Sequence, residues 1–387
     1  MTLYLGWFFV SVILCLTTLK ASRNTQILLM ALFMMALGVF VGLGDMLGGY
    51  DRYIYGELFD FMADDRLAGN NPWESYAFSL YGTEFGYGTW EALMTYVTAN
   101  RYIFIFASTI VIYILLIISL RQYVENTPFA VVIFMALWFF FTFTYLRQVM
   151  GCTICWLAVR YIIKRNLPLF LLVTFIGYSF HNSAIVFLPM YFVPIKKFPI
   201  KGIIGIMVGA LILGLSPIPQ SLFSAYGEVD AERVNRAHYE MDNGFRWAYL
   251  MEAVFFLFII LTNYSKIIIQ RKEIVMLNMA LVFCAILLVF VRSENGGRLG
   301  WFYMIGVICT LSSICVKNKN ILPQGVLMFV VCFLLFFRIL SVWGIQLYPY
   351  KTFLTNGFRE GDPVHEIFEY DPSYDVDKFY RPAFEKQ

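Results

Sequence analysis

The stretch YIFIFASTIVIYILLIISL, residues 102–120, decides the fold. Its 19 residues carry no charge, and Arg101 and Arg121 close its two ends. About 20 apolar residues in a helix cross the hydrocarbon core of a bilayer. A helix is required there because lipid offers the backbone no hydrogen-bond partner. Working outward, the same kind of run recurs along the whole chain. Twelve spans are predicted, near 3–19, 27–45, 102–120, 129–146, 150–163, 168–180, 183–194, 202–217, 247–264, 275–291, 299–315 and 321–342. The sequence is 60% hydrophobic and 14% charged, where a soluble domain has about 45–50% and about 25%. Mean hydropathy is +0.68. The expectation is an all-α, polytopic integral membrane protein with about 12 transmembrane helices. Leu3 to Thr18 has no basic segment before it and no clear small-residue cleavage site, so it reads as the first helix. Residues 1–343 read as one transmembrane domain, with long outer loops at about 46–101 and 217–246. Residues 344–387 read as a tail on the outer side. The sixth and seventh runs are short, and read as two half-helices meeting near His181 or as one broken helix.

Charge placement gives an orientation. With the N-terminus outside, lysines 20, 164, 196, 197, 201, 266, 272, 317 and 319 fall in short inner loops, as the positive-inside rule expects. The outer segments carry Arg52, Arg66, Arg101, Arg147, Arg233, Arg236, Arg246, Arg292 and Arg298, and no lysine before the tail. Arginine is the side chain for two-pronged recognition of phosphate and carboxylate. The outer arginines therefore suit an anionic headgroup on a lipid tail.

Ionisable groups at membrane depth invite a functional reading. Asp51 and Tyr55 stand in GGYDRYIY (Gly48–Tyr55), where Asp51 reads equally as a helix cap. Glu84 stands in GTEFGYGTWE (Gly82–Glu91), where it reads equally as a solvated loop carboxylate. Arg147 and Gln148 end a span in LRQ, and Arg147 reads also as a headgroup-facing snorkel. His181, Asn182 and Ser183 lie between two apolar half-spans in SFHNSA, and His181 reads also as a structural histidine at a helix break. Arg292 and Arg298 bracket SENGG, with Tyr303 following. Arg233, Arg236, His238 and Arg246 form a further group, with Arg338 near the last outer helix end. The seven cysteines fall in or beside apolar runs and read as buried thiols. Three histidines without HExxH, and no DxD in the outer loops, give no metal-ligand pattern. No P-loop, GxSxG or basic tail is present, and the sequence calls for no cofactor and no nucleic acid.

These residues bring a family with them. Asp51…Tyr55 after an early span, Glu84-Phe-Gly-Tyr in the first long outer loop, and LRQ at Arg147 and Gln148 before a basic RYIIKRN resemble the EpsG-like and Wzy-like polysaccharide polymerases of bacterial envelopes. FHNSAIVFLPMYF looks like that family's His-x-Ser-Ala element, at His181 to Ala184. Arg298 five residues before Tyr303, and YPY at Tyr348–Tyr350, fit as well. The likeness runs from about residue 45 to 350.

The resemblance implies a membrane glycosyltransferase that uses polyprenyl-linked donors. It would join undecaprenyl-pyrophosphate-linked repeat units into O-antigen, capsule or exopolysaccharide, on the outer face of the bacterial cytoplasmic membrane. A chain-length regulator is a partner it would admit. The chemistry fits the residues. Arg147, Arg292 and Arg298 would steady the pyrophosphate leaving group without a metal. His181, Glu84 and Asp51 are candidates to orient or deprotonate the acceptor hydroxyl, and His181 can equally donate to the pyrophosphate. Gln148, Tyr55, Tyr303, Arg246 and Arg338 would complete the substrate contacts. Two alternatives stay open: a glycan ligase with the same kind of site, and a flippase or transporter, for which charges along an interior path would be expected.

Overall fold

The computed structural model describes residues 1–46, 51–219, 221, 244–293, 296–354 and 381–384. Arg233, Arg236, His238, Gly48–Tyr50 and most of the tail, His365 included, lie outside the described residues. Among the described residues the elements are helices, save a short hairpin pairing Val316–Lys317 with Asn320–Ile321 and a single bridge between Gly44 and Thr352. Asn318 and Lys319 at its turn both have positive φ, 49° and 59°, as a two-residue hairpin turn demands.

Six helical segments among the described residues are long and apolar enough to cross a membrane: Arg23–Leu43, Arg101–Tyr123, Leu146–Lys164, Arg271–Val289, Gly296–Cys315 and Pro323–Val342. Six shorter apolar ones accompany them, at Thr2–Thr18, Thr127–Leu137, Leu167–Phe180, Asn182–Phe192, Ile200–Leu215 and Trp247–Thr262. These are the twelve predicted runs. In chain order the α-helices are α1 (Thr2–Thr18), α2 (Arg23–Leu43), α3 (Arg52–Leu67), α4 (Tyr76–Ser79), α5 (Phe85–Thr95), α6 (Arg101–Tyr123), α7 (Thr127–Leu137) and α8 (Leu146–Lys164). There follow α9 (Leu167–Phe180), α10 (Ile200–Leu215), α11 (Trp247–Thr262), α12 (Arg271–Val289), α13 (Met304–Cys315), α14 (Pro323–Val342) and α15 (Gly344–Leu347). The caps explain several starts. Ser22 accepts from the Thr25 amide, Asn100 from Tyr102 and Asn166 from Leu169, each satisfying an amide that the first turn leaves open. Lipid-facing character shows on α2, α10 and α11, whose Leu32, Ile212 and Met251 are exposed apolar side chains.

Two spans differ from an unbroken helix. The run predicted at 129–146 is α-helical only to Leu137, then a 3-10 helix over Phe139–Phe143. The seventh run is a 3-10 helix, Asn182–Phe192, with Pro189 inside it. Proline has no amide to give and collides with the preceding turn of an α-helix, which favours the tighter form there. The sixth and seventh runs form an antiparallel hairpin. Phe170 on α9 packs against Phe187 and Tyr191, and Arg165 donates to the carbonyls of Tyr191 and Val193. Both arms thus start from the lysine-bearing face, and His181 sits at the tip.

The long loop between α2 and α6, expected on the outer side, is itself folded, into α3, α4, α5 and the 3-10 turns Pro72–Glu74 and Gly82–Glu84. It packs on α6 and on the tip of α9. The chain beyond α14 returns into the bundle. The Tyr4 hydroxyl donates to the Leu347 carbonyl at 2.5 Å, the Tyr350 hydroxyl to Phe40 at 2.7 Å, and Thr352 bridges to Gly44.

Candidate functional site

Arg147 opens α8 immediately after the 3-10 break, which places a charged residue at the first turn of a span. Its guanidinium lies over the rings of Tyr55 on α3 and Tyr81 before α5, at 5.4 and 5.6 Å from their centroids. Such contacts hold a cation while leaving its N–H edges for other acceptors. Nη1 donates to Glu84 Oε2 at 2.8 Å. Glu84 is buried at the end of the Gly82–Glu84 turn. Its other oxygen, Oε1, accepts from the Asn182 backbone amide at 3.1 Å and lies 3.7 Å from His181 Nδ1. One carboxylate therefore ties together the outer loop, α8 and the hairpin tip.

Glycines set this spacing. Gly151 stands one turn along α8 from Arg147, and Gly177 one turn before His181. A Cβ on Gly177 would stand 2.6 Å from Cys155 Sγ and 3.1 Å from the Gly151 carbonyl; a Cβ on Gly151 would stand 3.2 Å from His181 Cβ. The two helices approach backbone to backbone, as small residues permit in lipid.

His181 Nδ1 accepts from the Ser183 amide at 3.2 Å and lies 2.7 Å from Ser183 Oγ. A nitrogen that accepts from an amide carries no proton, so the neutral ring holds its hydrogen on Nε2. In that state His181 is a donor through Nε2.

The remaining predicted residues distribute around this centre. Gln148 Nε2 donates to the Arg298 carbonyl at 3.2 Å, and the Arg298 guanidinium lies 4.7 Å from the centre of the Tyr145 ring. Tyr145 belongs to an aromatic wall with Phe141, Trp301 and Trp343. Asp51 precedes α3, and its amide donates to Thr144 Oγ1 at 2.7 Å, three residues before Arg147. The carboxylate makes no capping bond to that helix. Tyr303 is buried and donates to the Val186 carbonyl at 2.5 Å, which props the returning arm of the hairpin. The Arg246 amide donates to Val291 at 2.7 Å, and Arg292 donates to the Leu215 carbonyl at 3.4 Å, at the end of α10. Arg338 lies on the outside of α14, 3.9 Å from Glu252 on α11.

Two of the arginines expected on the outer side are structural. Arg52 is fully buried and donates to the carbonyls of Gly42, Gly44 and Phe143. Arg101 is buried against Asp60. Both are structural clamps, and sequence gives no means to tell them from Arg147. Sequence reading also passed over Tyr81, Tyr145 and Glu91. Glu91 is fully buried on α5, and burial pushes its carboxyl up to about 8, against the pull of the Tyr81 hydroxyl and of Arg147. The seven cysteines are all buried and unpaired.

Fold and site together define a polytopic α-helical membrane protein whose ion-paired polar centre gathers the outer loop, α8 and a short hairpin at one end of the bundle. The sequence pattern of the EpsG family matches residues 27–352, a range that contains every residue of that centre. The chain belongs to the EpsG family, and is a membrane protein of polysaccharide biosynthesis. Neither the curated proteins nor the solved structures give a match.

Proposed function

We propose that this chain is a polysaccharide polymerase, joining repeat units carried on undecaprenyl pyrophosphate at the outer face of the bacterial cytoplasmic membrane. The observation that supports this most is the held guanidinium of Arg147. It lies between two tyrosine rings, is fixed by one carboxylate, and is still 24% exposed. Charge develops on a diphosphate as its bond to the sugar breaks, and a donor already in place costs nothing to reorganise.

The contacts support the following roles. Arg147 binds the diphosphate of the donor, with Arg298 beside it across Gln148. His181 donates from Nε2 to a diphosphate oxygen. Glu84 has both oxygens engaged and serves to orient Arg147 and the hairpin tip. Asp51, whose charge acts on Tyr55 beside Arg147, is the carboxylate assigned to the acceptor hydroxyl. In the reaction the acceptor's O–H proton goes to Asp51 and its oxygen bonds the donor's anomeric carbon. The bond from that carbon to the diphosphate breaks, and the electron pair leaves on undecaprenyl pyrophosphate. The aromatic wall of Tyr145, Trp301 and Trp343 lies beside the charged groups and suits sugar faces or the first isoprene units.

The test is genetic. The gene is deleted in its host and restored as wild type, Arg147→Lys or Asp51→Asn, and surface glycan is resolved on a gel. The deletion should collapse the ladder to a single repeat unit, and neither variant should restore it at normal protein level. A deletion that leaves the ladder unchanged overturns the polymerase reading. Polymer of full length that fails only to reach its final acceptor makes the chain a ligase instead.

A further inference from the structure

Of the ionisable side chains in the loop between α2 and α6 that the roles above leave unused, Glu91 lies beside the rings that hold Arg147. Glu91 lies two turns along α5 from Glu84, and is fully buried. Its carboxyl faces the Tyr81 hydroxyl, and no backbone amide donates to it among the described residues. The Tyr87 ring meets the rings of Tyr55 and Tyr81, the two that hold Arg147. Glu91 thus faces Tyr81 from the turn before α5, Tyr87 from its own helix and Arg147 from α8, with Tyr55 of α3 behind Tyr87. Glu84 pairs with Arg147 and lies beside His181, and Asp51 acts on Tyr55 from the start of α3. A carboxylate buried without amide donors is costly, and such a group takes up a proton instead.

We infer that Glu91 is a positioning residue of the proposed polymerase, acting through Arg147: uncharged, it leaves Arg147 to a single carboxylate, and ionised, it adds a second that cancels the attraction for the substrate diphosphate. The inference rests on the polymerase reading. Glu84 and Arg147 cancel while Glu91 is neutral, and the group carries one negative charge once Glu91 ionises. A diphosphate is then repelled where it was tolerated.

The direction of the pH effect follows. The raised carboxyl, at about 8, keeps Glu91 neutral at pH 7, and the neutral form is lost as pH rises through that value. Wild-type protein in liposomes, given lipid-linked repeat units, should show KM for the donor rising above pH 8, with kcat changing less. By pH 9 about nine-tenths of Glu91 would be ionised, so kcat/KM should fall about tenfold. Glu91→Gln keeps the shape and cannot ionise; it should match wild type at pH 7 and exceed it about tenfold at pH 9. Glu91→Met, which also cannot ionise, should show the same flat profile if it folds, which separates charge from hydrogen bonding. An alkaline fall that persists in Glu91→Gln, a wild type without one, or a folded Glu91→Gln inactive at every pH overturns the inference. No polymer from wild type at any pH overturns instead the polymerase reading on which it rests.

Discussion

At the residue scale, Arg147 shows why arginine rather than lysine stands at the start of α8. Its planar head is gripped on two tyrosine faces and still offers N–H groups in a fixed fork. Lysine would keep the ion pair with Glu84 but not the fork. Arg147→Lys should therefore fold normally and lose at least tenfold in polymer formed, measured as glycan per protein in membranes. Glu84→Gln is different in kind. It removes the charge from a pair whose carboxylate is 3% exposed, and breaking a buried pair costs about 3–5 kcal/mol; partial exposure of Arg147 puts the expected loss at the lower end, read as a lower Tm in detergent. Glu84, Arg147 and His181 were legible in the sequence because each interrupts an apolar run or a glycine-rich loop. Glu91 was not. In GTEFGYGTWE it resembles any exposed helix carboxylate, and only the packing of Tyr81 and Tyr87 against it gives it a buried environment.

At the scale of elements, the α8–α9 contact sets the geometry of the site. Gly151 and Gly177 allow the two backbones to touch, one turn from Arg147 and one turn from His181. Gly177→Ala would place a methyl 2.6 Å from Cys155 Sγ. Overpacking of that kind costs about 1–3 kcal/mol, and the displaced tip should carry His181 and the Asn182 amide away from Glu84. The expected result is loss of polymer with the protein still in the membrane. Gly205→Ala on α10, where nothing stands within 4 Å, should be neutral; equal activity of both variants would contradict the role given to the contact. The twelve apolar runs were legible because a bilayer imposes their length. The 3-10 form of Asn182–Phe192 and the break after Leu137 were not. Both are local departures inside apolar runs, where composition alone reports burial and not backbone form.

At the scale of the whole molecule, α1 and α2 meet the segment that follows α14. Tyr4 of α1 holds Leu347, and Tyr350 stacks on Phe40 at 4.3 Å. Arg52 joins three backbone carbonyls beneath them. The YPY segment, legible only as a motif, is thus part of the bundle. Removing Arg52 strands those buried carbonyls, at about 1–3 kcal/mol each for an unsatisfied group. Arg52→Met should lower Tm far more than Arg292→Met, since Arg292 is exposed; equal Tm values in the two variants would contradict the clamp. Arg52 and Arg101 are thus buried in the fold while Arg147 stays part-exposed in the candidate site, a division that the even spread of arginine along the sequence conceals.

The measurement that tests the central claim most directly uses purified protein in liposomes supplied with undecaprenyl-pyrophosphate-linked repeat units, comparing wild type with Arg147→Lys at equal protein. The account predicts a ladder of lengthening glycan from wild type and only the starting unit from Arg147→Lys. A ladder of the same length and yield from both would contradict it.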